Sequence, residues 1–415
     1  MSLAVVDAAL DGQVVGLRAE DGRIAALGPG VEAGEGDEVI DAGGMALVPG
    51  LVNGHTHAAM TLFRGHGDDL PLMEWLQRVI WPVEARLEPE DVYWGTRLAC
   101  LEMIRTGTVR FWDMYWEPAA VVRAVEASGL RATVSAPLID VGDAAGDGKL
   151  RDAAERSLEA IGEPRELISP ALGPHAIYTV SEAGLRWVAE AGEARGLPIH
   201  IHLSETEEEV SRCLADHGLR PAQYLDRLGL LGPRTVLAHG VWLDPGELEL
   251  IAERRATVVT LPVANMKLAV GGMFPYPEGR RRGIQLGLGT DGAGSNDSLD
   301  LLQDLKMFAL IHKHEAHDPA AVSAGEAWEV ATGARAPLLG TRPLATGEPA
   351  DFLLLRTDTP ELVVGDFVAD LVYAASGAVV DTTVVAGRVL MRDGEVEGAG
   401  EVLVQARERC RRLGL

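Results

Sequence analysis

Leu47-Val48-Pro49-Gly50-Leu51-Val52-Asn53-Gly54-His55-Thr56-His57 reads as a short apolar strand that ends in two histidines one residue apart. On an extended backbone, residues i and i+2 point to the same side. His55 and His57 can therefore present their imidazoles to one point in space, as two ligands of one metal ion must. Two histidines do not make a metal site. The rest of the chain has to supply further ligands, an acid/base group and a scaffold that gathers them.

Outward from this stretch, apolar strand candidates alternate with amphipathic segments. The strands are 46–52, 108–114, 131–137, 166–172, 198–203, 234–238, 256–261 and 284–289. Amphipathic segments include 89–105, 181–195, 207–216 and 245–253; the first is introduced by Glu88 and carries Glu90 and Asp91 in its first turn, a helix start. Strands this apolar are buried on both faces, as in a parallel sheet covered by helices. Eight βα units over residues 49–342 predict a (β/α)8 TIM barrel. A doubly wound open sheet is the alternative, but no Gly-rich dinucleotide loop follows the first strand.

The chain ends have a different texture. Residues 14–19 and 23–27 flank Asp21-Gly22, a hairpin signal, and 34–38 is a polar loop. Strands return at 351–355, 382–386 and 388–391, with a turn at Asp393-Gly394. None of these can bury a face alone. Residues 1–48 and 343–415 are therefore expected to pair into a small β-sandwich. A terminal helix over 401–413 ends in Arg407, Arg409, Arg411 and Arg412, which suits the helix dipole.

The 415 residues are 47% hydrophobic, enough for a large core, and carry a formal net charge of -25. That charge argues against nucleic acid or an anionic membrane as partner, since both need a basic face. It suits a well-hydrated surface. Cys100, Cys213 and Cys410 are odd in number and widely spaced, which predicts free thiols in a reducing compartment. No signal peptide precedes the first strands and no apolar run is long enough to span a bilayer, so a cytoplasmic location is expected. A homo-oligomer is compatible with the sequence, which does not determine it.

In a TIM barrel, functional groups sit at the C-terminal ends of the strands. His55 and His57 follow strand one. His202 closes strand five, with Glu205 three residues on. His239 follows strand six, and Asp291 follows strand eight in Gly289-Thr290-Asp291-Gly292. One histidine after a strand is more often a loop or core residue than a ligand. Such residues at four strand ends are poorly explained by chance. Three His and one Asp suit one zinc ion, or a similar divalent ion such as Fe2+ or Mn2+, better than calcium or magnesium. A site with an open position lowers the pKa of water, and Glu205 can then move protons to a leaving group. His200, on the same strand face as His202, is either a ligand or one layer deeper. His66, His217, His312, His314 and His317 fall in loops or on helical surface. Trp75 and Trp81 line a pocket or belong to the core.

The motifs Pro49 through His57, Asp69-Leu70-Pro71-Leu72-Met73-Glu74-Trp75-Leu76, Gly173-Pro174-His175, His202-Leu203-Ser204-Glu205-Thr206, Ala238-His239-Gly240 and Gly289-Thr290-Asp291-Gly292-Ala293-Gly294-Ser295-Asn296 run in order through nearly the whole chain. In them the chain resembles the amidohydrolase superfamily, in the branch of S-adenosylhomocysteine/5'-methylthioadenosine deaminases and related chlorohydrolases. The resemblance implies one metal ion on His55, His57, His202 and Asp291. Glu205 would carry a proton to the ring nitrogen and then to the leaving amine. His239 would orient the attacking water and Asp291 would accept its proton. Attack at C6 of adenine with loss of ammonia gives hypoxanthine. Dinuclear relatives use a carboxylated lysine on strand four; residues 166–175 contain no lysine, which favours one metal.

By the same resemblance, Glu84 in Trp81-Pro82-Val83-Glu84 is similar to a carboxylate that holds ribose hydroxyls, and His175 to a histidine near the nucleoside. Without it, Glu84 reads as a solvated helix residue and His175 as a loop contact. Relatives usually carry a His-Asn-Pro-type sequence after strand seven, where this chain has Thr260-Leu261-Pro262-Val263-Ala264-Asn265. That change, and the aromatic run 111–116, bear on the substrate. The alternatives are deamination or dechlorination of a triazine, guanine, cytosine or pterin, and a catalytically silent barrel acting as a binding module. The silent barrel should have lost ligands, and here the set is complete.

Overall fold

The apolar run that opens the chain's reading is one strand in the sequence and two in the structure. In the computed structural model, which describes residues 2–140, 147–340 and 342–415, Met45–Pro49 and Leu51–Thr56 are separate strands that part at Gly50. A Cβ at Gly50 would lie 2.3 Å from both methyls of Val109, so only glycine lets the chain pass there. Met45–Pro49 pairs antiparallel with Phe352–Arg356, while Leu51–Thr56 pairs parallel with Thr108–Met114. The expected strand 46–52 is thus corrected. A continuous apolar run does not reveal that its halves join different sheets.

Among the described residues, eight parallel strands build the barrel. Ile168–Pro170, Arg131–Ser135, Thr108–Met114 and Leu51–Thr56 form one half. Ile199–Leu203, Thr235–His239, Thr257–Thr260 and Gln285–Leu288 form the other. Backbone bonds cross both seams. Leu172 N–H donates to Pro198 and His200 N–H to Leu172, each at 2.9 Å, and Asp291 N–H donates to His55 at 3.1 Å. The second seam brings the ends of strands one and eight together, and the site with them.

Helices cover the outside. Pro89–Arg105 begins with a capping box between Glu88 and Asp91. Ser181, Thr206 and Asp244 cap Glu182–Arg195, Glu207–His217 and Pro245–Arg254. His312, expected on a surface, is buried in Leu301–Glu315 against Phe308 and Tyr276, with ring centroids 4.8 and 5.5 Å away. An imidazole has enough apolar ring to pack there, and helical periodicity alone does not reveal the facing aromatics.

The two chain ends form one eight-stranded sheet. Its Asp21-Gly22 hairpin has φ 48° and 77°, the left-handed pair that a two-residue turn needs. Ile24 N–H donates to Glu348 and Ala350 N–H to Gly22, both at 2.9 Å. These bonds bring the N-terminal hairpin against the C-terminal strands. Leu17, Ile24, Leu47, Phe352, Leu354 and Val384 fill a core separate from that of the barrel. Arg131 clamps the two parts with a bidentate bond to Asp351, at 2.7 and 3.1 Å. The terminal helix Ala399–Leu413 docks through Arg412 on Asp91, at 2.9 Å. Cys100, Cys213 and Cys410 are free thiols. Among the described residues, no helix is long and apolar enough to cross a membrane.

Candidate active site

Strands one and eight bring ligand atoms of His55, His57 and Asp291 together, and strand five brings His202 beside them. Nε2 of His55 and Nε2 of His57 stand 3.3 and 3.2 Å from Asp291 Oδ1. Nε2 of His202 stands 3.4 Å from Nε2 of His57. Backbone carbonyls fix two of the rings: Nδ1–H of His57 donates to Met114 and Nδ1–H of His202 to His175, each at 2.7 Å. Their Nε2 lone pairs are thereby left free. Ser295 Oγ donates to Asp291 Oδ2 at 2.6 Å, leaving Oδ1 as the free acceptor.

This arrangement fits a metal ion. His55 Nε2 and Asp291 Oδ1 are buried without a hydrogen-bond partner among the described residues. Leaving such atoms unsatisfied costs about 1–3 kcal/mol each. Ligand atoms about 2.0–2.1 Å from a tetrahedral ion lie about 3.3–3.4 Å from one another. The His55–Asp291, His57–Asp291 and His57–His202 spacings of 3.3, 3.2 and 3.4 Å are of that length.

The acid/base groups flank the ligands. His239 ends strand six with φ 73°, and Asp291 follows strand eight with φ 65°. Left-handed backbone at a non-glycine residue is costly and clusters at functional sites. Nδ1–H of His239 donates to Asn265 Oδ1 at 2.9 Å, so Nε2 faces Glu205, whose Oε2 lies 3.8 Å away. Burial raises the pKa of Glu205 above the ordinary carboxylate value, the direction in which a carboxyl becomes a better proton carrier. Glu209 Oε1 and Oε2 accept the backbone N–H groups of Ser204 and Glu205 and hold that loop, at 2.9 and 3.0 Å.

A cleft opens over these groups, and Trp75, Ile80, Glu84, Tyr115 and His175 line it. Glu84 accepts from Tyr115 Oη at 2.9 Å, and burial raises its pKa. It is therefore a cleft residue and not a solvated helix residue. His175 contacts Thr179 Oγ1 at 3.0 Å through Nδ1, and burial pushes its pKa down to about 3, so the ring is neutral. Trp75 is buried in the wall and Trp81 stands at the mouth, 45% exposed.

The altered stretch after strand seven leads into the short helix Pro262–Lys267. Leu261 and Ala264 are buried with Val52 and Trp112 in the barrel interior, and Leu268 is the nearest following residue on the cleft wall. Sequence reasoning missed Asn265, Ser295 and Tyr115. Asn265 was signalled as the polar residue ending an apolar stretch, and Ser295 by its position four residues after Asp291. Tyr115 had no signal beyond the aromatic run.

The amidohydrolase family model matches residues 46–390. A 5'-deoxyadenosine deaminase of Methanoregula boonei is 46% identical over 388 residues, 92% of this chain and 87% of that protein. The 5-methylthioadenosine/S-adenosylhomocysteine deaminase 1 of Archaeoglobus fulgidus is 41% identical over 408 residues, 96% and 94% of the two chains. The crystal structure of an adenosine deaminase from Xanthomonas campestris with bound zinc superimposes with a TM-score of 0.90 at 34% identity, over 96% of this chain and 94% of that one. The chain belongs to the amidohydrolase family and is a metal-dependent hydrolase acting on C–N bonds.

Proposed function

We propose that this amidohydrolase deaminates the adenine ring of a nucleoside: 5'-deoxyadenosine, 5'-methylthioadenosine, S-adenosylhomocysteine or adenosine. The observation that carries the reading is Glu205 facing His239 beside the ligand set, in a cleft whose wall carries the half-buried Glu84. Relatives named for these substrates support it.

A single divalent ion, zinc in the first instance, held by His55, His57, His202 and Asp291, would supply the Lewis acidity that makes water nucleophilic at neutral pH. His239, aligned through Asn265, directs a donor Nε2–H at the water oxygen when protonated. Asp291 takes the proton the water loses. Glu205 gives a proton to N1 of the ring as the water oxygen bonds to C6. Glu205 then takes up the C6 hydroxyl proton and passes it to the amine, the C6–N bond breaks, ammonia leaves hypoxanthine, and the proton on Asp291 returns to Glu205. Glu84 accepts the ribose hydroxyls, held in place by Tyr115, and His175 lies against the nucleoside.

The same reading divides the chain into a barrel unit, 49–342, and an end-sheet unit, 1–48 with 343–415. The net charge of -25 supports a small-molecule substrate over nucleic acid or membrane. The three free cysteines support a cytoplasmic setting. A non-nucleoside heterocycle would use the same metal and acid/base groups but gives Glu84 no partner.

Zinc-loaded protein is tested against the four nucleosides by loss of the adenine absorbance. Conversion of any one supports the reading. No conversion of all four, with metal confirmed in the protein, overturns it in favour of a non-nucleoside ring.

A further inference from the structure

We infer that His200 is a positioning residue for the metal: it accepts the Nδ1–H of His55 and thereby aims Nε2 of His55 at the ion. The inference rests on the metal site of the preceding reading.

Three histidines converge on the site, and each needs a partner on its far nitrogen to fix tautomer and ring orientation. For His57 and His202 that partner is a backbone carbonyl, which can only accept. For His55 it is another imidazole: Nδ1 of His55 lies 2.7 Å from Nε2 of His200. The two rings are nearly perpendicular, at 84°, with centroids 4.8 Å apart. His55 Nε2 faces Asp291 on its other side, so Nδ1 must carry the proton if Nε2 is to ligate. His200 Nε2 is then the acceptor and the proton of His200 sits on Nδ1.

The cost of the arrangement points the same way. His200 is fully buried on strand five, two residues deeper than His202. Its Nδ1 has no partner among the described residues, and its ring meets Trp112 edge to face at 5.6 Å. Trp112 itself belongs to an apolar cluster with Val52, Val236 and Val259. A leucine or valine would suit packing better there, since a buried unsatisfied polar atom is unfavourable. The bond to His55 is the contact that the imidazole makes and an apolar side chain could not.

The test uses Co2+-loaded full chain and the variants His200→Leu and His200→Gln, with thermal melts confirming that each folds. His200→Leu removes the acceptor and should release Co2+ to a chelator about 10–100-fold faster, with shifted visible bands. His200→Gln, whose carbonyl can accept, should restore both towards the native protein. A folded His200→Leu that holds Co2+ at the native rate with unchanged bands overturns the inference. A second measurement serves if that variant does not fold. In native zinc-loaded protein with labelled histidine rings, NMR should show a proton on Nδ1 of His55 coupled across the hydrogen bond to Nε2 of His200. A proton found on Nε2 of His200 overturns the inference. Failure of the unmodified chain to bind Co2+ would instead sink the metal-site reading.

Discussion

Asn265 Oδ1 accepts the Nδ1–H of His239 at 2.9 Å, and this bond decides which nitrogen of His239 faces Glu205. A freed ring could turn, so that Nε2 no longer faces Glu205 and the cleft. Asn265→Ala should lower kcat about 10–100-fold, the usual cost of losing a group that orients a site residue. Asn265→Asp, which keeps the acceptor, should recover part of the loss. Steady-state kinetics with metal content measured alongside would check this. Unchanged kcat in Asn265→Ala would mean the ring is held by other contacts.

Glu205→Gln should keep the metal and lose turnover. Glu205 is not within the groups that converge as ligands, His55, His57 and Asp291 or His55, His202 and His239. The amide keeps shape but cannot carry protons to the ring and the amine. General acid–base groups contribute about 10²–10⁴-fold, so a kcat loss of that order is expected at full metal occupancy. Metal analysis and single-turnover rates would separate lost chemistry from lost metal.

Glu84→Ala should raise KM for nucleosides more than for free adenine, because free adenine has no ribose hydroxyls for the carboxylate to accept. Tyr115→Phe should have the same sign and a smaller size, since it removes only the 2.9 Å bond that holds Glu84. Equal effects on nucleoside and base would remove Glu84 from the ribose contact.

Asp304 provides a pH-dependent term in stability. Burial pushes its pKa up to about 8, although Asn296 Nδ2 donates to it at 3.0 Å. An unfolded aspartate titrates near about 3.9. Between these values the folded state holds a proton that the unfolded state has released. Its stabilising contribution is therefore complete below about 3.9 and is lost as pH rises through about 8. Asp304→Asn should flatten the fall in Tm between about pH 5 and pH 8.5. Parallel Tm–pH curves for the two proteins would refute the assignment.

Strand-end chemistry was legible because it is local. His55 and His57 share a strand face by the period of two, and His202, His239 and Asp291 each end an apolar run. The structure gathers His55, His57 and Asp291, and sets Nε2 of His202 3.4 Å from Nε2 of His57. The barrel was legible for the same reason: apolar runs and amphipathic segments follow from which faces are buried. Identity of the groups that hold the site was less legible. His200 is 145 residues from His55, Asn265 is 26 from His239, and no pattern in the chain joins them.

What the sequence determined by itself was the inventory: eight buried strands, the polar residues at their ends, and the donor types suited to a divalent ion. Tertiary structure alone decided the pairings. It split the run around Gly50 between two sheets, because Val109 packs where a side chain would be. It turned the stretch after strand seven into the barrel interior, leaving only Asn265 of its polar groups bonded to His239. It also set His200 under His55. Local periodicity records whether a residue is buried; which group it meets there depends on the register and closure of the barrel, and these are set by contacts between residues far apart in the chain.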